Sequence, residues 1–356
     1  MRVTGCALAL YRLPLDPPLR LRHTLIRERR GALVRLEDSD GRCGFGEIAP
    51  FPSPGRDALL RMIRTWRPLQ TDLFQRTTFD LSSLDALLAP LDTLDLKPAM
   101  RIGVQSALVT LAAAIRGTTP AAFLASQPLP CFTVNRLVTD VNALAAYRFS
   151  ERQPVEVIKI KVGNREWREE RAALLRFLER CPRNVRIRLD ANRSWQPEQA
   201  RAFLSGIDHT QIAYIEEPLA EEAELEALYR ETGVAYAWDE SVLTRTFPDR
   251  FPDGLAAVVL KPTFLGDMRR VRAWALKART ENRRVVFTSV FESGLGLRNV
   301  AVMASAWGSP HTAMGLGTAR WFADDTIVPR FVVENNRYCP GNEDVQLNNR
   351  VLEWPD

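Results

Sequence analysis

Lys159 and Lys161, then Asp190, Glu216 and Asp239, then Lys261 follow one another along the chain, each in or at the end of a short apolar run. The 48 basic residues include only five lysines (Lys97, Lys159, Lys161, Lys261 and Lys277), and the other 43 are arginine. Arginine stays protonated in proteins, whereas a buried lysine can lose its proton and serve as a base. Lysines kept in apolar segments of so arginine-rich a chain point to proton transfer. The three carboxylates between them offer an all-oxygen donor set, suited to Mg2+ with Mn2+ as a substitute. A substrate carboxylate or carbonyl held there would be polarised as by a Lewis acid, while a lysine on one face removed the proton from its α-carbon. A free lysine titrates near about 10.4, and an effective base wants about 7 to 8, so the site must supply about 4 kcal/mol. Burial, Lys159 two residues away and the metal all push Lys161 in that direction.

These groups need elements that bring them to one place. Residues 1 to about 50 read as β-ribbons, Val3 to Arg12, Leu19 to Glu37 and Gly44 to Ile48, with a turn at Asp38-Ser39-Asp40-Gly41. Asp57 to Trp66, Ser82 to Leu91 and Ala99 to Ile115 read as helices, the last closed by Gly117, and together these make an α+β unit. From about residue 131 strands and helices alternate. The predicted strands are Phe132–Arg136, Val155–Val162, Val185–Asp190, Gln211–Glu216, Ala235–Asp239, Ala256–Lys261, Val285–Ser289 and a short one near Thr312–Gly315. The helices Arg165–Glu179, Pro197–Ser205, Glu221–Thr232 and Asp267–Thr280 lie between them. The strand ends Lys161, Asp190, Glu216, Asp239, Lys261, Ser289 and Gly315 are 29, 26, 23, 22, 28 and 26 residues apart, the length of one βα unit. Eight such strands predict a closed parallel barrel, with its chemistry at the carboxyl ends. Side chains two apart share a face, so Lys159 and Lys161 point inward, as do Arg186, Arg188 and Asp190. Charges in a barrel lumen are costly unless they pair or bind an ion. Arg188 could meet a ligand carboxylate there, or equally brace Asp190 or a neighbouring acid.

The remaining sequence excludes several classes. The net charge of +5 is dispersed among 43 acidic residues without a compact basic block, so no nucleic-acid partner is expected. No apolar run approaches 20 residues, so no membrane span is expected, and the amino terminus is too interrupted for a good signal peptide. Five scattered cysteines without a CxxC pair argue against a zinc site or a disulfide framework and fit a reducing cytoplasm. The three histidines do not cluster and read as loop or surface residues. A small anionic molecule is the expected partner, and nothing in the spacing sets an oligomeric state.

Several phrases resemble the muconate-lactonising branch of the enolase superfamily: Lys159-Ile-Lys161, Leu189-Asp190-Ala-Asn192, Ile215-Glu216-Glu217-Pro218, Trp238-Asp239-Glu240-Ser241 and Leu260-Lys261-Pro262. Asp190 to Trp195, Ala237 to Ser241, Lys261-Pro262-Thr263, Phe291 to Gly296 and Gly44 to Pro52 are similar, more finely, to the o-succinylbenzoate synthase family. The resemblance covers about residues 3 to 325. It implies an α/β fold with a modified TIM barrel of (β/α)7β type at residues 127–321. An α+β capping domain at 1–126 would carry the lid loop and be completed by about 322–356. It implies a cytoplasmic lyase that dehydrates 2-succinyl-6-hydroxy-2,4-cyclohexadiene-1-carboxylate to 2-succinylbenzoate, in menaquinone or phylloquinone biosynthesis. Lys161 would be the base and then the acid that helps hydroxide leave. Lys261 would be the opposite cation, and Lys159 would tune Lys161. Asp190, Glu216 and Asp239 would be the Mg2+ ligands, with Asn192 and Glu240 behind them. Thr288, Ser289 and Gly315 match strand-end positions that touch substrate, and Leu19 to Arg30, with His23-Thr24, matches a lid over the barrel mouth. The chain departs from the family's pattern at Thr288, Val290 and Gly294, where serines are frequent. Two opposed lysines would equally serve an N-acylamino acid racemase or dipeptide epimerase on this scaffold. A muconate cycloisomerase and a non-catalytic barrel that binds an acidic ligand are further alternatives.

Overall fold

In a computed structural model that describes residues 1–20, 25–52, 58–149, 156–341 and 345–354, three strands near the amino terminus pair as an antiparallel sheet. Its strands are β1 (Gly5–Arg20), β2 (Leu25–Glu37) and β3 (Cys43–Ile48). The predicted turn is present: the Asp38 carboxylate accepts from the N–H groups of Asp40 and Arg42, and Gly41 takes φ +78°. A two-residue strand from the far end of the chain, Leu352–Glu353, pairs with β1 on its other edge. The helix Pro98–Ile115 lies against β3. A Cβ on Gly46 would stand 1.9 Å from the Gly103 carbonyl oxygen, so glycine is what lets strand and helix approach this closely. This helix has the length and apolarity of a membrane span, but 72% of it is buried inside the protein, which makes it a core helix. Of the predicted helix from Asp57, Ala58–Arg64 is helical, and Asp57 lies outside the described residues.

The predicted strand Phe132–Arg136 is divided. Its first part, β4 (Phe132–Thr133), pairs antiparallel with Arg337–Tyr338, whereas β5 (Arg136–Val138) starts the parallel sheet. The cause lies 200 residues downstream. Asn335 and Asn336, at φ +49° and +54°, turn the chain so that Glu334 meets Arg337, as a two-residue hairpin turn does. That presents a free edge to β4. The parallel strands continue as β6 (Glu156–Lys161), β7 (Val185–Asp190), β8 (Ile212–Glu216), β9 (Tyr236–Trp238), β10 (Leu255–Leu260) and β11 (Arg284–Phe287), hydrogen-bonded in sequence order from β5. Thr312–Gly315 is no continuous strand. Single bridges, Thr288 to Gly315 and Val134 to Met314, join β11 back to the beginning of the sheet. Helices Trp167–Glu179, Pro197–Leu204, Leu225–Thr232, Met268–Thr280 and Gly294–Trp307 flank the strands.

Alternation sorts the strand residues. Ile158, Ile160, Ile187, Leu189 and Ile215 join the large apolar core. Tyr214, Ala237, Ala257, Val259 and Val286 stand two residues before Glu216, Asp239 and, in β10 and β11, in line with Lys261 and Thr288. They share those faces and form their own buried cluster beneath the charged rim. Of the arginines predicted to face inward, Arg188 is buried, but Arg186 is exposed and donates to the carbonyls of Arg183 and Val185.

Against the expectation from cysteine spacing, the chain carries a disulfide. Cys131 and Cys339 are joined, across 208 residues of sequence, with Cα atoms 4.1 Å apart. They are the next opposed pair after Phe132–Tyr338 and Thr133–Arg337, so the ladder itself brings the sulfurs together, and no sequence spacing announces it. Cys6, Cys43 and Cys181 are free. A link closing so long a loop constrains the unfolded chain strongly. Cys339→Ser is expected to destabilise the oxidised protein by about 2–4 kcal/mol. Denaturant titrations of the two proteins should differ in non-reducing buffer and coincide with dithiothreitol present.

Candidate active site

Strand register builds the site. Lys161, Asp190 and Glu216 are aligned across β6, β7 and β8, and Asp239 and Lys261 follow directly after β9 and β10. Asp190, Glu216 and Asp239 are 1%, 1% and 2% exposed, and one carboxylate oxygen of each lies within 4.8 Å of the others. Three lysines converge on them. Lys159 Nζ donates to Glu216 and stands 2.7 Å from Asp190, Lys161 Nζ donates to Asp190 Oδ2 at 2.6 Å, and Lys261 Nζ donates to Asp239 Oδ2 at 2.5 Å. The two flanks are thus held by different carboxylates, Lys161 on one side and Lys261 on the other.

The electrostatics follow from burial and pairing. Burial pulls the Lys159 ammonium down, but Asp190, Glu216 and Asp239 together outweigh it and raise its pKa well above the usual value. Burial likewise lowers Lys261 and is outweighed by Asp239 and Glu240. Burial raises the Asp190 carboxyl, yet the two ammonium groups it accepts hold it well below the usual range. Glu216 is pushed up to about 7 by burial and by Asp190 and Asp239, against the pull of Lys159. The three lysine ammonium groups match the three carboxylates of this trio charge for charge. Among the described residues, Asp239 Oδ1 is buried with no hydrogen-bond partner. An all-oxygen set with an orphaned carboxylate oxygen fits a hard divalent cation.

A cavity of about 440 Å³ opens above the trio. Lys159, Lys161, Asn192, Glu240, Lys261, Thr288, Ser289 and Gly315 line it, so eight of the residues predicted from sequence meet at one surface. Lys161 is 27% exposed and reachable from the cavity, whereas Lys159 is 12% exposed and engaged by two acids. Asn192 Oδ1 accepts from Lys161 at 2.7 Å and its amide donates to Glu240 at 3.2 Å. Thr288 Oγ1 donates to the Gly315 carbonyl, and the Ser289 hydroxyl is 2.7 Å from that of Thr318. Arg188 is not at this surface. It is 3% exposed, donates to the Ala313 carbonyl at 2.7 Å and lies over the Tyr214 ring, bracing the stretch that leads to Gly315. His23 and Thr24 of the predicted lid lie outside the described residues. A larger, more open depression of about 970 Å³, by Trp238, Arg245 and Phe251, is lined by none of the predicted residues.

Other side chains emerge only in three dimensions. Glu217 is fully buried, and its carboxylate accepts from the N–H groups of Asp239 and Ser241, the Ser241 hydroxyl and Arg193. It fixes the turn that presents Asp239. The doubled acid Glu216-Glu217 was the available signal, because adjacent residues at a strand end face different ways. Asn135, Phe51, Phe264 and Thr318 also line the cavity. Asn135 Oδ1 is buried without a partner among the described residues.

Known proteins are similar to this chain in sequence and in fold. Residues 140–342 match the family described as enolase C-terminal domain-like, and residues 4–71 match the MenC N-terminal domain. The chain is similar to the o-succinylbenzoate synthase of Edwardsiella ictaluri, with 33% identity over 322 residues, covering 86% of this chain and 88% of the other. For the o-succinylbenzoate synthase of Salmonella dublin the identity is 32% over 323 residues, covering 90% and 92%. Among solved structures, a muconate lactonizing enzyme from Pseudomonas fluorescens superposes with a TM-score of 0.81 at 17% identity, covering 98% of this chain and 97% of that one. The L-Ala-D/L-Glu epimerase from Bacillus subtilis gives 0.78 at 17% identity, covering 98% and 96%. At such identities these two establish the fold alone.

The trio makes a direct prediction about stability. A cation that binds only the folded chain adds about 2.7 kcal/mol at a hundredfold excess over its dissociation constant. Millimolar Mg2+ or Mn2+ should therefore raise the melting temperature of chelator-treated protein. Asp239→Asn should remove that increment, and an unchanged increment in the variant would show that the cation binds elsewhere.

Proposed function

The chain belongs to the o-succinylbenzoate synthase family of the enolase superfamily and is a lyase; from that premise we propose that it dehydrates 2-succinyl-6-hydroxy-2,4-cyclohexadiene-1-carboxylate to 2-succinylbenzoate, with Mg2+ as its cation. The observation that carries this reading is the convergence of Lys161, Lys261 and the buried acidic trio on one cavity. Asp190, Glu216 and Asp239 would hold the Mg2+, and bound Mg2+ would supply Lewis-acid polarisation of the substrate carboxylate.

The remaining work falls to side chains. Lys161 Nζ takes the proton from the ring carbon that bears the carboxylate. It then returns a proton to the hydroxyl leaving from the neighbouring carbon, so that water departs and the ring becomes aromatic. Asn192 and Asp190 hold Nζ at the cavity wall, with Asn192 itself steadied by Glu240. Lys261 faces from the other flank as a fixed ammonium, its charge maintained by Asp239 and Glu240, and stabilises the negative charge that gathers on the carboxylate. Lys159, clamped between Asp190 and Glu216, contributes charge rather than a mobile proton. Thr288, Ser289 and Gly315 would contact the succinyl arm. Arg188 acts from below by holding Ala313, not by touching the ligand.

The proposal includes a capping unit, residues 1–126 with about 322–356, over a barrel at 127–321. Support comes from the Leu352–Glu353 strand, which completes the first sheet. It also includes a cytoplasmic location, a place in quinone biosynthesis and a small carboxylate as partner. Purified protein with Mg2+ should form 2-succinylbenzoate and stop when a chelator is added. Lys161→Arg keeps the charge but not the base and should fold normally, with kcat reduced about 10²–10⁴-fold. Racemisation of N-acylamino acids without formation of 2-succinylbenzoate would overturn the assignment in favour of the two-base alternative.

A further inference from the structure

Arg29 is completely buried at the junction between the first sheet and the barrel. Its guanidinium donates to three carbonyl oxygens: Phe291 through Nε at 2.9 Å, Pro50 at 2.9 Å and Ala49 at 3.2 Å. Two of these precede Phe51, in the segment after β3. The third belongs to the loop after β11. The same guanidinium stands 5.6 Å from the centre of the Phe51 ring. Among the described residues, all of its hydrogen bonds go to carbonyls and none to a carboxylate, so Arg29 is not one half of an ion pair. It acts as a fork with three prongs, which the single nitrogen of a lysine cannot imitate.

What the fork holds is one wall of the cavity. Phe51 and Phe291 both line it, together with Phe264. Phe51 packs edge-on against Phe264 at 6.1 Å, and Phe264 lies 5.9 Å from Lys261 Nζ. Phe291 packs edge-on against Trp321 at 5.7 Å. Phe291 also has φ +62°, a conformation that bulky side chains avoid and that persists only where the surroundings impose it. The bond from Arg29 to its carbonyl is one such imposition. Phe51 and Phe291 come from segments about 240 residues apart in sequence, and the buried Arg29 side chain bonds directly to both segments.

We propose that Arg29 is a positioning residue that joins the two segments and fixes the aromatic wall against which the substrate's six-membered ring binds. This deepens the dehydration reading and rests on it for the identity of that ring. Arg29 touches neither substrate nor reacting atoms. The wall contacts the body of the ligand alike before and during reaction, so its loss weakens binding more than turnover.

Arg29→Lys and Arg29→Met test this in two ways. In steady-state dehydration, KM should rise about tenfold while kcat stays within about threefold of the parent. In ligand-free protein, hydrogen exchange should rise together in peptides spanning residues 49–52 and 290–293. An unchanged KM, a fall in kcat at constant KM, or faster exchange in only one of the two segments overturns the proposal. Should Arg29→Met fail to fold, Phe51→Ala decides, since an unchanged KM there means that no binding wall exists for Arg29 to position. The exchange readout needs no substrate. A parent enzyme that does not dehydrate therefore sinks the dehydration reading, while paired loosening of the two segments still upholds the positioning role.

Discussion

Three carboxylates buried within 4.8 Å of one another are the constraint around which the molecule is arranged. In an interior of low dielectric, such a group is untenable without positive charge at contact distance. The chain answers with Lys159, Lys161 and Lys261, each reaching an acid. The answer is asymmetric. All three reach the cavity wall, but Lys159 is spent on two acids, while Lys161 and Lys261 each hold one. A site that merely needed neutrality could pair every acid symmetrically. This one leaves an oxygen of Asp239 without a partner among the described residues, as a site that receives a further cation would.

Register carries that constraint outward. Because Lys161, Asp190 and Glu216 are ladder neighbours, slipping any strand by one residue would move its charge to the helix-facing side and put an apolar residue in the lumen. Fully buried Glu217 then ties the Asp239 turn to the β8 end. The first sheet takes part as well. Glu47 of β3 accepts from Tyr11, from the Ser293 N–H and hydroxyl and from the Gly296 N–H, so the helix that follows β11 is anchored to the cap at its first turn. With Arg29 close by, two buried charged groups of opposite sign hold the loop between Ser289 and Gly296 from the cap side.

Legibility in the sequence followed locality. The strand ends repeated at one βα length because each unit is built from consecutive residues, so β6 to β11 and the rim could be read directly. Pairings between distant segments left no such trace. The split of Phe132–Arg136 depends on a hairpin at Asn335-Asn336, and the Cys131–Cys339 link depends on that split. Phe51, Phe291 and Arg29 converge from three places that share no period. Arg188 shows the opposite case: alternation identified its face correctly, but depth along the strand decides between rim and floor. Two residues below Asp190, the same inward direction ends at the Ala313 carbonyl rather than at the cavity.

Depth also explains the division of labour between the two cations. Arg188 and Arg29 are both buried deeply, and both donate to the main chain, Arg188 to the Ala313 carbonyl and Arg29 to three carbonyls, where a fixed charge is required. Guanidinium meets that demand because its fork is rigid and its proton is never given up. At the rim, the demand is reversed. In the proposed reaction a base must shed its proton and regain it, and the Lys161 nitrogen already has two acceptors, Asp190 and Asn192, within reach. The near-absence of lysine elsewhere does not itself mark function, since Lys97 pairs with Asp95 at the surface and Lys277 pairs with Glu281 and donates to the Asp249 carbonyl. The distinction lies in what surrounds each nitrogen. Only at the barrel rim does lysine face both a buried acid and an open cavity, and there an arginine would preserve the charge balance while removing the proton exchange.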